Sequence, residues 1–192
     1  HHLLKERVAW RTLRYGLLEN SSIRYSKTAL YESNGDWSSP LVIVKKKDGT
    51  LRPCGDYRLL NAKTRPSRYP LPRIIDIFDH ISKCNFFTTI DIEKAYHQIP
   101  IEEADKHKTA VITPFGLYEY NFMPFGLRIA AQTFQLTIDS ILRGSEAYAF
   151  AYIDDIIIFS KDETEHKHHL QDILNRLKSA KLKINSRKCN WN

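Results

Sequence analysis

The sequence has few cysteines, no long apolar run and no export signal. Its three cysteines, Cys54, Cys84 and Cys189, are odd in number and far apart. They form no metal-type pair and indicate reduced thiols in an intracellular protein. No apolar run approaches the ~20 residues that a membrane-spanning helix needs, and the N-terminus has no signal-peptide pattern. We therefore expect neither a membrane partner nor export.

The net charge of +7 is concentrated in one segment. Between Lys45 and Arg73 the sequence has nine basic and two acidic residues, and the remaining chain has equal numbers of each sign. A neutral body with one basic segment is typical of a polyanion-binding surface, although a solvated charged face produces the same pattern. At 192 residues and 42% hydrophobic content, the chain is long enough for one large domain or two small lobes with a real core.

Predicted strands and helices follow one another without a regular βαβ alternation, which favours an α+β fold. Apolar or β-rich runs and an Asp-Gly turn predict strands at Leu41–Val44, Leu51–Tyr57 and Phe86–Ile92, in two pieces over Val111–Tyr120, and in two runs over Ala147–Ser160. Helical spacing predicts helices over Leu3–Leu18, Ile74–Ile81 and Leu127–Leu142, with a last helix capped by Thr164, and the polar stretch Asn20–Ser39 reads as a loop.

Two adjacent acids split the apolar stretch AYAFAYIDDIIIFS. Burying Asp154 and Asp155 is expensive without compensation, so a hairpin that carries both at its tip is expected. The usual Asn-Gly or Asp-Gly turn is absent, and the β-branched Ile153 lies at the bend, which predicts local backbone strain. An exposed acidic turn that only joins two buried strands is the simpler interpretation of this stretch.

A third acid, Asp91, ends the strand Phe86–Ile92. Only folding can bring it close to Asp154 and Asp155. Three carboxylates on neighbouring strand ends form a hard-oxygen site suited to Mg²⁺. Two such ions ~4 Å apart activate a hydroxyl nucleophile and stabilise a leaving pyrophosphate, and the protein then contributes positioning and charge.

Five blocks of the chain together resemble the reverse transcriptase of gypsy-type long-terminal-repeat retrotransposons. In order, they are SPLVIVKKKDGTLRPCGDYRLLN, YPLPRIIDIFDHISKCNFFTTIDIEKAYHQIPI, TPFGLYEYNFMPFGL, AYIDDIIIFS and LKINSRKC. Each block is moderately specific, and their order and spacing together are very specific. The resemblance implies an RNA-directed DNA polymerase that adds deoxynucleotides to a primer 3′-hydroxyl, a nucleotidyltransferase reaction that uses two Mg²⁺ ions or Mn²⁺ in their place.

The resemblance also implies a role for individual residues. Asp91, Asp154 and Asp155 match the metal-binding catalytic aspartates, with the Ile92 carbonyl near a metal, and Lys188 matches a lysine proposed to protonate pyrophosphate. The implied nucleotide-binding residues are Lys46 and Arg52 on the triphosphate, Tyr96 as the gate against a ribose 2′-hydroxyl, and Phe125 and Gly126 lining the pocket. The implied template-supporting residues are Asp56, Arg58 and Asn61.

The implied architecture is a right-hand polymerase with an antiparallel palm sheet backed by helices. Fingers are expected from residues 1–65 and 99–129 and the palm from residues 66–98 and 130–192, while thumb, connection and RNase H regions lie outside the chain. The implied partners are an RNA or DNA template-primer, dNTPs and the remaining polyprotein, including RNase H and integrase. The implied locations are cytoplasmic particles and the nucleus. A fragment of this extent is expected to polymerise poorly in isolation.

Several positions depart from the family pattern. Arg128-Ile129-Ala130-Ala131 stands where Lys or Arg, Asn, Ala and Pro are usual, Gly55 replaces a β-branched residue, and Lys181 replaces a helix-capping Gly. The alternative hypothesis is a catalytically inactive, repurposed retroelement domain that binds nucleic acid or protein. It would explain the changed Arg128–Ala131 stretch but gives no reason to keep the three aspartates. A two-metal nuclease shares the carboxylates but does not explain the nucleotide-gripping hairpin. The cluster His166, His168 and His169 is expected to be solvated at a helix start.

Overall fold

The computed structural model describes residues 30–45, 49, 51–114 and 116–191. The helix predicted over Leu3–Leu18 lies outside these residues. The chain divides into two compact units. The first contains the described residues up to Arg65 together with Pro100–Leu127, and the second contains Pro66–Ile99 and the described residues from Arg128 onward.

The described residues form eight strands and five α-helices. The strands are β1 (Leu30–Glu32), β2 (Ser39–Lys45), β3 (Leu51–Gly55), β4 (Phe86–Asp91), β5 (Val111–Thr113), β6 (Gly116–Tyr120), β7 (Ala149–Tyr152) and β8 (Asp155–Ser160). The α-helices are α1 (Arg58–Lys63), α2 (Phe78–Ile81), α3 (Glu103–Lys106), α4 (Ala130–Ile141) and α5 (Glu163–Ser179), and short 3₁₀ turns cover Ile74–Ile77, Ala95–Gln98 and His107–Thr109. Among these elements, no helix combines the length and apolarity that crossing a bilayer requires.

The first unit is built on a sheet whose described strands have the order β1-β6-β5-β2-β3. Strands β2 and β3 pair antiparallel, from Leu41 opposite Gly55 to Lys45 opposite Leu51, as the Asp-Gly hairpin predicts. Strands β2 and β5 pair in parallel. The apolar cluster of this unit centres on Tyr57, Val111 and Tyr120.

The second unit contains an antiparallel sheet whose described strands have the order β4-β8-β7. Alternate residues of β8, including Ile156 and Ile158, are fully buried, as expected for a strand with one face on a core. Helix α4 contributes Phe134 and Ile138 to the same core, and α5 contributes two more buried aliphatic side chains, one helical turn apart. The predicted antiparallel sheet backed by helices is therefore present, and the predicted α+β class is confirmed.

Three local predictions need correction. The stretch expected to be a loop includes β1, since Leu30–Glu32 pairs with Tyr118–Tyr120 across the sheet. Helix α4 begins at Ala130, later than the apolar periodicity indicates. The last helix is capped by Asp162 and not by Thr164, because the Asp162 carboxylate accepts a hydrogen bond from the Glu165 N–H at 2.9 Å.

The expectation of a solvated histidine cluster is wrong for His166. This side chain is only 3% exposed. Its Nε2 lies 2.8 Å from the Thr88 hydroxyl and its Nδ1 lies 2.9 Å from the Ser160 hydroxyl. Burial, and then the nearby His169, lower the pKa of His166 from its ordinary value, so the folded state favours the neutral ring.

We predict that His166 makes the second unit less stable in acid. Because the folded-state pKa lies below the ordinary value of about 6.5, the contribution to stability is complete above that pH. It is lost as the pH falls toward the folded-state pKa, since the unfolded chain takes up the proton first. His166→Gln should flatten the fall in urea midpoint between about pH 7 and pH 5. His168→Gln, a change at an exposed position on the same helix, should show the same fall in urea midpoint as the native chain. Equal falls in the native chain and both variants would contradict the role given to His166.

Lys181 closes helix α5 in a conformation that normally requires glycine. Its φ is 58°, its N–H donates to the Lys178 carbonyl at 3.0 Å, and the Leu182 N–H donates to the Leu177 carbonyl at 2.9 Å. These two bonds define a Schellman cap with lysine in the left-handed position. The departure at this position is therefore a source of backbone strain.

We predict that Lys181→Gly raises the free energy of unfolding by about 1 kcal/mol, because glycine has no Cβ to clash in the left-handed region. The matched change Lys178→Gly, inside the last helical turn, should lower it by about 1 kcal/mol. Chemical denaturation of both variants measures the difference. A loss of stability in Lys181→Gly would refute the strain assigned to this cap.

Candidate active site

The turn between β7 and β8 carries two of the predicted acids. Strand β7 ends at Tyr152 and β8 begins at Asp155, so Ile153 and Asp154 make the turn. Ile153 has a φ of 54°, a left-handed conformation that is rare for a β-branched residue. The predicted strain at this bend is confirmed, and such strain costs about 1–3 kcal/mol.

A buried glutamine, which the sequence analysis missed, holds this turn. Gln135 of α4 is 0% exposed. Its Oε1 accepts a hydrogen bond from the Ile153 N–H at 2.8 Å, and its Nε2 donates to the Ala151 carbonyl at 3.0 Å. The sequence offers little signal for it, because Gln135 is one of several polar residues in α4.

The third acid lies opposite the second. In the antiparallel register of β4 and β8, Asp91 is the partner of Asp155, and directly opposed side chains in such a pair have Cβ atoms about 4.5–5.5 Å apart. The Ile92 N–H donates to the Asp154 carbonyl at 2.8 Å. The residue after Asp91 is thus tied to the turn, and the structure brings the three predicted acids to one end of the sheet.

Lys188 joins the acids from the C-terminal segment. Its Nζ lies 3.3 Å from the Asp91 carboxylate. The Asn185 N–H donates to the Asp91 carbonyl at 2.8 Å, which fixes the segment that carries the lysine. Burial, and then the charges of Asp154 and Asp91, raise the pKa of Asp155, while Lys188 opposes this shift. The three carboxylates repel one another, and the Lys188 ammonium partly offsets that repulsion.

Tyr96 is half-buried in the same unit. Its ring makes an edge-to-face contact with Phe134 at a centroid distance of 6.2 Å. Burial first, and then the charge of Asp154, raise the pKa of Tyr96, so the ring lies within electrostatic range of the acids. The contact with Phe134 limits the orientations open to the tyrosine ring, as a steric gate requires.

Other predicted site residues lie in the first unit. The Asn61 side-chain amide donates to the Gly126 carbonyl at 2.7 Å, and Gly126 has a φ of 95° that favours glycine. The guanidinium of Arg58 pairs with the Asp56 carboxylate at 2.5 Å. Phe125, half-buried, immediately precedes Gly126. The structure therefore joins part of the predicted template-supporting set to the predicted pocket lining.

The described structure includes no side-chain position for either of the two residues predicted to bind the triphosphate. Lys46 lies outside the described residues, and for Arg52 only the backbone, in β3, is described. Their roles remain predictions.

Gly55, one of the departures from the family pattern, has a local cause. A Cβ at this position would lie 2.5 Å from the Tyr57 ring. The Tyr57 hydroxyl donates to the Thr109 carbonyl at 2.9 Å, which holds the buried ring in place. A β-branched residue at position 55 is therefore incompatible with this position of Tyr57, whatever its preference for strands.

Comparison with known proteins identifies the family. A model for reverse transcriptase (RNA-dependent DNA polymerase) matches residues 44–192. The chain belongs to the reverse transcriptase family. The match includes every predicted site residue, since the lowest-numbered is Lys46 and the highest-numbered is Lys188.

The reverse transcriptase chain resembles parts of two retrotransposon polyproteins of Schizosaccharomyces pombe. It is 42% identical over 161 residues to the transposon Tf2-3 polyprotein and equally to the Tf2-7 polyprotein. Each match covers 83% of this chain and 12% of the relative. The chain therefore spans only a small part of the curated relatives that it matches.

Solved structures share the fold of this reverse transcriptase chain. The foamy viral protease-reverse transcriptase in complex with double-stranded DNA superposes with a TM-score of 0.80 at 20% identity, covering 87% of this chain and 29% of that one. The same viral enzyme in complex with an RNA/DNA hybrid gives a TM-score of 0.78 at 19% identity, covering 90% and 24%. At these identities the likeness supports the polymerase fold alone.

The acids of this reverse transcriptase chain provide the type of ligand that a hard cation prefers. Carboxylate oxygens are the ligands that Mg²⁺ prefers. Burial, and then the charges of Asp154 and Asp91, raise the pKa of Asp155, and a bound cation would oppose that shift. Within the described part of the chain, no three or more His, Cys, Asp or Glu side chains are grouped closely enough to hold a metal ion. The ligand types fit, but the carboxylates as they stand in the described structure are not grouped closely enough to form a ligand set.

Proposed function

We propose that the chain is the fingers and palm part of a gypsy-type retrotransposon reverse transcriptase, which adds deoxynucleotides to a primer 3′-hydroxyl by a two-metal mechanism. The observation that carries this proposal is the pairing of Asp91 with Asp155 beside the Asp154 turn, in a chain that belongs to the reverse transcriptase family. A binding domain has no need of three acids at one sheet end.

In this proposal Asp91, Asp154 and Asp155 hold the cations, with the Ile92 carbonyl as a further oxygen ligand. Divalent cations bound there would activate the primer hydroxyl and stabilise the charge of the leaving pyrophosphate. The protein's own contribution is to hold the strand ends that carry Asp91 and Asp155 opposite each other at one end of the sheet. The raised pKa of Asp155 means that acidification removes part of the charge that attracts the cations.

Lys188 and Tyr96 have separate proposed roles. The Lys188 ammonium, which lies beside Asp91, is proposed to donate a proton to the leaving pyrophosphate. The Tyr96 ring, which packs against Phe134, is proposed to exclude a ribose 2′-hydroxyl and so to favour deoxynucleotides. A Tyr96 change that shrinks the ring removes that steric restriction.

The first unit is proposed to contact the nucleotide and the template. Lys46 and Arg52 bind the triphosphate, and Phe125 and Gly126 line the nucleotide pocket. Asp56, Arg58 and Asn61 support the template strand, and the hydrogen bond from Asn61 to Gly126 links that segment to the pocket lining. The solved relatives with bound DNA and RNA/DNA hybrid support a template-primer partner. RNase H and integrase of the same polyprotein are further proposed partners.

We predict that Asp154→Asn slows single-nucleotide primer extension on an RNA template by at least about 100-fold, because it removes a charged metal ligand. The assay uses Mg²⁺ and excess protein, in both the 192-residue chain and a longer chain that continues beyond Asn192. Glu163→Gln, an exposed acid that follows the opposite end of β8 from the turn, is the matched control and should extend at the native rate.

The outcomes separate the proposed function from its alternative. Extension by the native longer chain that Asp154→Asn abolishes supports the polymerase. Absence of extension by the native longer chain, with retained template-primer binding, would favour the repurposed, inactive binding domain. Extension that survives Asp154→Asn would contradict the proposed metal site.

A further inference from the structure

The buried Gln135 is one end of a chain of polar side chains within the second unit. Its Nε2 donates to the Asp139 carboxylate at 2.9 Å as well as to the Ala151 carbonyl. The other oxygen of Asp139 accepts a hydrogen bond from the Tyr69 hydroxyl at 2.6 Å. We call Tyr69, Asp139 and Gln135 the relay.

The relay sets the orientation of the glutamine amide. A carboxylate accepts hydrogen bonds and an ionised one donates none, so the side of Gln135 that faces Asp139 must be the NH₂ group. The amide oxygen then faces the Ile153 N–H, with which it forms its 2.8 Å bond. The Asp139 carboxylate and the Ala151 carbonyl both accept from the NH₂ group, so a flipped amide would place its oxygen against acceptors and its NH₂ group against the Ile153 N–H.

The relay acts on the most strained backbone position of the candidate active site. Residues in sparsely populated backbone conformations persist only where their surroundings over-determine them. Gln135 binds the turn on both sides of Tyr152, through the Ala151 carbonyl and the Ile153 N–H. Asp154 and Asp155 follow directly, so a change in the Ile153 backbone moves the two carboxylates.

We propose that Tyr69, Asp139 and Gln135 are positioning residues that hold the Ile153 turn in the conformation in which its acids bind divalent cations. This inference rests on the proposed function for the cation site, and it adds residues that contact neither cation nor nucleotide. Tyr69 and Asp139 act through Gln135 and not on the reacting atoms.

Two measurements test the relay. The rate of hydrogen exchange at the Ile153 amide, followed by NMR without any metal, reports how firmly Gln135 holds the turn. The affinity for Mn²⁺, measured by electron paramagnetic resonance on the 192-residue chain, reports the carboxylates. A purely structural role would lower stability but leave the Mn²⁺ affinity of the folded variants unchanged.

Three variants give a graded result. Gln135→Met keeps the size of the side chain and removes its hydrogen bonds, and it should weaken Mn²⁺ binding by about 10–100-fold, the usual effect of losing a residue that orients a ligand. Tyr69→Phe removes only the distal hydroxyl and should weaken binding by about threefold, below that range. Gln132→Met is the matched control on the same helix, since Gln132 Oε1 has no hydrogen-bond partner among the described residues, and its affinity should equal the native value.

Asp154→Asn separates the two proposals. If this change does not alter the Mn²⁺ affinity, or if the native chain binds no Mn²⁺, the proposed cation site is refuted. In that case, unchanged hydrogen exchange of the Ile153 amide in Tyr69→Phe would also refute the relay. If Asp154→Asn abolishes binding while Gln135→Met and Tyr69→Phe bind as the native chain does, the relay is refuted. Should Gln135→Met not fold, Tyr69→Phe decides, and native exchange and affinity in that variant would refute the relay.

Discussion

The left-handed turn at Ile153 is the constraint on which the rest of the candidate active site depends. A hairpin with Asn-Gly or Asp-Gly would relieve the backbone, but it would not place two acids at the start of β8. The chain instead bends at a β-branched residue and offsets the cost with hydrogen bonds from a buried glutamine. Backbone strain and buried polarity, each unfavourable in isolation, support one another at this position.

Charge imposes the second constraint. Asp91 and Asp155 are opposed in register, and the strands keep them opposed although like charges repel. Lys188 partly offsets that repulsion from a segment anchored to the Asp91 backbone. Such an arrangement is unfavourable for a purely structural surface, whereas a bound cation would offset the repulsion. The sheet core below it provides the rigidity that this arrangement requires.

Much of this arrangement could be predicted from the sequence, because its signals are local. Apolar runs that are ended or split by acids predict the strands and place Asp91 and Asp155 at strand ends, and the β-branched bend predicts the strain. Partners distant in sequence could not be predicted in this way. His166 of α5 can be buried because the hydroxyl of Thr88, in strand β4, forms a hydrogen bond with its ring. Gln135 is tolerated in an apolar helix face because the turn at Ile153 supplies its partners, and the hydrogen bond that makes Asp162 the cap of α5 depends on geometry that composition does not encode.

We propose that Asp91, Asp154 and Asp155 form a cation site at the end of this sheet, and anomalous scattering from crystals of the chain grown with Mn²⁺ would detect it. We expect an anomalous peak about 2.1 Å from carboxylate oxygens of Asp91 and Asp155, a distance typical of small hard cations, with the Lys188 ammonium displaced from Asp91. Mn²⁺ bound only elsewhere, with the contact between Lys188 and Asp91 intact, would rule out a cation site at these acids.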